Sequence, residues 1–241
     1  MAPEHPLTPP PGWMLDEIAS AGRENLDVGH VARYDAKENA DADAELLLCE
    51  GLGLQPDATV VDLGAGTGQF ALAAAAAAAR VVAADVSPVM LERLRTKRDD
   101  AGLTNLEIVN AGFLSYEHRG PKPDLVYSRL ALHHLPDAWK ALALARIARM
   151  LNPGGAFRLL DVVYSFEPSE AQERLEAWCA SAEDNGIEHD WSRAELEEHV
   201  REEHSTFSWL LEPMIERSGL RIEDASYSAD GIFASYVLRP A

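Results

Sequence analysis

The 241-residue chain is poor in cysteine, in cations and in long apolar runs. Its two cysteines, Cys49 and Cys179, lie far apart and form neither a Cys-x-x-Cys pair nor a disulfide framework, which fits a reducing compartment. Lys and Arg number 21 against 40 Asp and Glu, a net charge of −19, so no broad basic face is available to neutralise phosphates. Nucleic acid and anionic membrane surfaces are therefore not expected partners. The longest unbroken apolar run, residues 70–79, has ten residues, where roughly 20 are needed to span a bilayer. The opening Met1-Ala2-Pro3-Glu4-His5-Pro6 has no cationic stretch leading into an apolar one, so no secretory leader is read and a cytoplasmic location is the expectation.

Several chemical signatures are missing too. No Gly-Lys-Ser or Gly-Lys-Thr follows the glycine-rich loop, which excludes a P-loop. His199 and His204 are five apart, so the His-Glu-x-x-His zinc helix is absent, and no metal is expected. No Gly-x-Ser-x-Gly elbow offers an acyl-transfer serine.

What is present is an alternation of element types. Residues 1–12 hold five prolines and a glycine and read as an extended lead-in, followed by helical patterning to Glu50 with Leu15, Ile18 and Ala19 on one face. Strands are predicted over 59–63, 81–85, 106–110, 125–128 and 156–163, with helices over 69–80, 88–101 and 138–151 between them. This βαβ alternation points to a parallel sheet covered on both faces. A polar stretch, 165–217, carries helical patterns at 169–183 and 192–203 and no predicted strand. Two last strands, 221–227 and 232–238, join through a turn at Ala229-Asp230-Gly231. The expected organisation is an N-terminal extension and helical cap over 1–50, then one α/β domain over 51–241 with a cap insertion at about 165–210.

The most informative stretch is Val60-Val61-Asp62-Leu63-Gly64-Ala65-Gly66-Thr67-Gly68-Gln69. An apolar strand runs into a Gly-x-Gly-x-Gly turn that opens a helix, where backbone meets a ligand without obstruction by side chains. A dinucleotide fingerprint would put its third glycine at 69, which is Gln, and Asp62 would repel a pyrophosphate while suiting a cationic ligand. The second strand ends at Asp85, a carboxylate placed to accept both hydroxyls of a ribose. The alternative role for Asp85, capping the helix that starts at Pro88, is one that Ser87 already suits.

Taken in order, Asp62-Leu63-Gly64-Ala65-Gly66-Thr67-Gly68, Asp85-Val86-Ser87-Pro88 with Met90-Leu91, Asp124-Leu125-Val126-Tyr127-Ser128, and Leu151-Asn152-Pro153-Gly154-Gly155 resemble the successive motifs of class I S-adenosylmethionine-dependent methyltransferases. The resemblance covers about residues 30–163. It implies a Rossmann-like seven-stranded sheet, mostly parallel with the last strand antiparallel, helices on both faces, and S-adenosyl-L-methionine as cofactor. By motif position it implies Gly64, Ala65, Gly66 and Gly68 at the methionine moiety and Asp62 just before the loop. Asp85 would hold the ribose, with Val86 and Met90 against adenine and Ser128 and Arg129 beside the donor. Tyr34 resembles the aromatic that closes over the donor in many relatives. The family often places Asp or Glu after the third strand to meet the adenine amino group. Here the stretch is Asn110-Ala111-Gly112-Phe113, which leaves that task to backbone near Gly112 and to Phe113.

Methyl transfer is an in-line displacement that needs alignment and a dry site, with a base useful where the acceptor is protonated. His133 and His134 follow the fourth strand and are the candidate catalytic residues, against the plainer reading of structural hydrogen bonders. The absence of an Asn/Asp-Pro-Pro-Tyr/Phe motif speaks against methylation of nucleic-acid amines, so a small-molecule acceptor is expected. Trp13, Trp178, Trp191 and Trp209, with Phe166, Phe207 and His189, are the rings available to wall its pocket. Two alternatives stay open: a protein that binds the donor or its demethylated product without turnover, and a nicotinamide-dependent oxidoreductase. The sequence sets neither the acceptor nor the oligomeric state.

Overall fold

The computed structural model describes residues 11–22, 24–29, 31, 42–184 and 191–241. Tyr34 and His189 lie outside them. Strands β1 (Thr59–Leu63), β2 (Arg80–Asp85), β3 (Leu106–Asn110), β4 (Leu125–Arg129), β5 (Ala156–Tyr164), β7 (Leu220–Tyr227) and β8 (Phe233–Pro240) form one sheet in the order β3-β2-β1-β4-β5-β8-β7. All neighbours pair in parallel except β8, which runs antiparallel to β5 and β7. The expected seven strands and lone antiparallel strand are present. A two-residue strand, β6 (Thr206–Phe207), adds itself to the far end of β5.

Side chains alternate across the sheet and sort into two cores. Val60, Val81, Ala83, Leu125 and Tyr127 face one side, where helices α1 (Ala42–Glu50), α2 (Gln69–Ala75) and α3 (Pro88–Asp100) supply Cys49, Phe70, Ala71, Ala74, Leu91 and Leu94. Val61, Val82, Val126, Phe157 and Leu159 face the other, against Ala143, Leu144 and Ile147 of α4 (Asp137–Met150) and Leu211 and Ile215 of α7 (Ser208–Arg217). Burial on both faces is why these strands read as continuous apolar runs. The alanine-rich stretch serves α2, where small side chains let the helix lie close on the sheet.

Three expectations need correction. Helix α2 ends at Ala75, five residues early, because Asn105 Nδ2 donates to the carbonyls of Ala75 and Ala78 and closes the helix end. Residues 12–20 form turns where helical patterning was read: Asp16 Oδ1 accepts from the amides of Ile18 and Ala19 at 3.1 and 3.2 Å, a local bond that competes with helix. The polar stretch holds α5 (Ala171–Asp184) and α6 (Arg193–Glu202) as expected, but also β6 and α7, whose internal Pro213 disguised it as a loop.

Candidate active site

The carboxyl ends of β1, β2 and β4 converge on a cleft. Its floor is the loop after β1, in which Gly64, Gly66 and Gly68 adopt φ of 73°, 54° and 83°. At Gly64 the requirement is also spatial, since an added Cβ would sit 2.3 Å from Ala131 Cβ. The amides of Gly64 and Ala65 both donate to the carbonyl of Ala84, which ties the loop to the end of β2.

Asp85 closes the β2 side. Its Oδ2 accepts from Gly66 N at 2.8 Å and its Oδ1 from Ser87 N at 2.7 Å. Burial pushes its pKa up, opposed by those amide bonds. The carboxylate lines the cleft and keeps acceptor capacity for a ligand hydroxyl. Ser87 caps α3 by accepting from Met90 N at 3.2 Å, and its hydroxyl donates to the carbonyl of Asn25, docking the N-terminal segment.

Of the residues expected here, Gly64, Gly66, Asp85, Val86, Met90, Gly112, Phe113 and His134 line the cleft together. Ala65, Gly68, Asp62, Ser128 and Arg129 do not. Asp62 lies 2% exposed in β1, and burial, then the charge of Asp85, raise its pKa to about 8. Ser128 is fully buried and its hydroxyl has no protein partner. Residues that the sequence reading missed are Glu17, Ala21 and Asn25 from the N-terminal segment, and Leu130, Ala131 and Leu135 after β4. Leu130 is the only non-glycine among the described residues with positive φ, 50°, a strained backbone that bends the chain from β4 into the two histidines.

Those histidines take opposite states. His133 is buried, its Nδ1 2.5 Å from Asp161 Oδ1 and its Nε2 2.8 Å from Glu203 Oε2. Burial lowers its pKa, but the charge and hydrogen bond of Asp161, with Glu203 behind, outweigh that and lift it to about 10. His134 is lowered to about 4, by burial and then by the charge of His133, and its Nδ1 has no hydrogen-bond partner. Burial would raise Glu203, yet bonds from His133 and His199 hold it far below the ordinary carboxylate range. His133, His134 and Glu203 place ligand atoms within 4.8 Å of one another, close enough for a cation. The 2.8 Å contacts of Glu203 Oε2 with His133 Nε2 and His199 Nδ1 are ion-pair contacts.

A second, open cavity adjoins this cluster, lined by Ser20, Gly22, Trp191, Glu195, Glu198, His199, Glu202 and Glu203. Ala21 lines the first cavity while its neighbours Ser20 and Gly22 line the second, and His134 Nδ1 stands 3.8 Å from Glu203 Oε2. The expected aromatic wall reduces to Trp191. Trp178 packs edge-on against His199, Phe166 and Phe207 pack on each other, and Trp13 and Trp209 are exposed.

Residues 60–155 match the family described as a methyltransferase domain. The dimethylglycine N-methyltransferase of Parasynechococcus marenigrum is 33% identical over 144 residues, which cover 58% of this chain and 51% of that one. The cypemycin N-terminal methyltransferase of a Streptomyces species is 39% identical over 99 residues, 41% of this chain and 39% of that one. The chain thus spans about half the length, or less, of these curated relatives. An S-adenosylmethionine-dependent methyltransferase from Clostridium acetobutylicum superposes with a TM-score of 0.63 over 86% of this chain and 96% of that one, at 13% identity, a likeness of fold. Residues 60–155 thus carry a methyltransferase domain, and the strand order and glycine loop agree with the class I S-adenosylmethionine-dependent resemblance of its motifs. The cleft suits S-adenosylmethionine: Gly64 and Gly66 line it with bare backbone, and Asp85 keeps acceptor capacity for a ribose. No helix among the described residues is long and apolar enough to cross a membrane.

Proposed function

We propose that this protein transfers a methyl group from S-adenosylmethionine to a small-molecule acceptor that reaches the donor from the second cavity. The observation that carries the reading is the position of His134, which lines the donor cleft and stands 3.8 Å from Glu203 on the wall of the other cavity. The sulfonium supplies an activated methyl group when bound, so the chain's task is alignment and exclusion of water. Gly64, Gly66 and Asp85 hold the donor. His134, kept neutral and lining the cleft, offers a ring nitrogen as hydrogen-bond acceptor for the N–H or O–H of the incoming nucleophile. His133, held as imidazolium between two carboxylates, positions its neighbour. The glutamates at 195, 198, 202 and 203 favour an acceptor bearing an amine, and one relative is named as an N-methyltransferase.

Calorimetric titration with S-adenosylmethionine, its demethylated product and NADH tests the first half. Tight binding of the first two is expected, weakened at least about tenfold in Asp85→Ala; preference for NADH would sink the reading. Mass spectrometry of reactions with a panel of amines and alcohols tests the second, and His134→Gln should lower kcat more than it raises KM. Binding without turnover on any acceptor would favour the non-catalytic alternative.

A further inference from the structure

One carboxylate in the cleft comes from the wrong end of the chain. Glu17 reaches the loop after β3, where its Oε1 accepts from Leu114 N at 2.9 Å and its Oε2 from Ser115 N at 3.0 Å and Ser115 Oγ at 2.7 Å. It spans 97 residues of sequence to do so. It also fills the space of a missing side chain: a Cβ on Gly112 would lie 2.3 Å from Glu17 Oε1 and 2.6 Å from its Cδ. A side chain at 112 and the carboxyl of Glu17 exclude each other.

The three hydrogen bonds leave capacity on Oε1, which has one partner where a carboxylate oxygen takes two. That oxygen borders Gly112, in a cleft also lined by the apolar side chains of Val86, which follows directly on Asp85, and Met90. An apolar slot with one hydrogen-bond acceptor at its edge, next to a carboxylate suited to a ribose, has the chemistry of a site for a flat base carrying an exocyclic amine. We propose that Glu17 is the specificity-determining residue for the donor's base, accepting a hydrogen bond from the adenine amino group. The proposal rests on the donor reading above. It replaces the expectation that backbone near Gly112 and Phe113 would recognise adenine alone.

The test compares S-adenosylhomocysteine with S-inosylhomocysteine, whose 6-oxo group replaces the amine, by calorimetric titration. The wild type should prefer the adenosyl compound about tenfold or more, the size of one hydrogen bond to a charged group. Glu17→Gln should lose that preference, because its amide donates to a 6-oxo group as readily as it accepts from an amine. If the wild type binds neither compound, the donor reading fails and takes this inference with it. If it binds the adenosyl compound and Glu17→Gln keeps the wild-type ratio, Glu17 alone is overturned. Should Glu17→Gln bind neither, Glu17→Ala decides. It removes the carboxylate and adds no donor, so it should bind both compounds with a ratio near one; a wild-type ratio, or loss of both compounds at an unchanged melting temperature, overturns the proposal.

Discussion

Gly64 and Gly68 both adopt left-handed backbone in the loop after β1, yet they differ in what a methyl group would strike. At Gly68 the nearest atom is Leu94 Cδ1 at 2.1 Å, the far end of a flexible side chain; at Gly64 it is Ala131 Cβ at 2.3 Å, fixed to backbone. Both substitutions to Ala bear the positive-φ penalty of about 1 kcal/mol, but Gly64→Ala adds overpacking of about 1–3 kcal/mol that Leu94 can relieve by rotating in Gly68→Ala. Thermal melts should therefore show the larger fall for Gly64→Ala, and donor affinity should fall with it. The glycines were legible in sequence because their requirement is local. Glu17 was not, since nothing near residue 17 announces that it will meet Gly112. His133 and His134 were legible as a pair but not as opposites: identical and adjacent, they differ only in what faces them, Asp161 and Glu203 for one and a cleft for the other.

At the scale of elements, the strands were legible nearly residue by residue, because burial on both faces leaves a continuous apolar signature that polar loops interrupt. Helix ends were less so. The stop of α2 at Ala75 is made by Asn105, thirty residues on, and the turn over 12–20 by Asp16. Helix α7 was hidden by Pro213, which sits in its interior without an amide hydrogen to donate. The helix persists because Leu211 and Ile215 are buried in the core. Packing thus overrides a local penalty of up to about 3 kcal/mol, partly offset by the stiffer unfolded chain that proline gives. Pro213→Ala should stabilise the fold by about 1 kcal/mol or more, read as a rise in midpoint on chemical denaturation with an unchanged slope.

At the scale of the whole molecule, a chain of net charge −19 ties α6 to the sheet through the buried His133. Glu203, which caps α6, bonds to His133 after β4 and to His199 of α6 itself, while Asp161 of β5 grips His133 from the other side. The cluster thus joins cap, sheet and the loop that carries His134, and its strength depends on pH in a defined direction. His133 has a folded pKa of about 10 against an ordinary 6.5, so its contribution is complete below 6.5 and is lost as pH rises through 10. Glu203 is depressed, so its contribution is present above its ordinary value of 4.5 and is lost as pH falls below that. The clamp is therefore strongest between about 4.5 and 6.5. Glu203→Gln leaves His133 with a single carboxylate and should cost about 3 kcal/mol in that window, the scale of breaking a buried pair. Melting both proteins from pH 5 to pH 10 should show the gap in Tm widest near pH 6 and closing steadily toward pH 10. A gap of constant width would mean that Glu203 holds the cap by packing alone, and that the charge on His133 plays no part in presenting His134 to the acceptor.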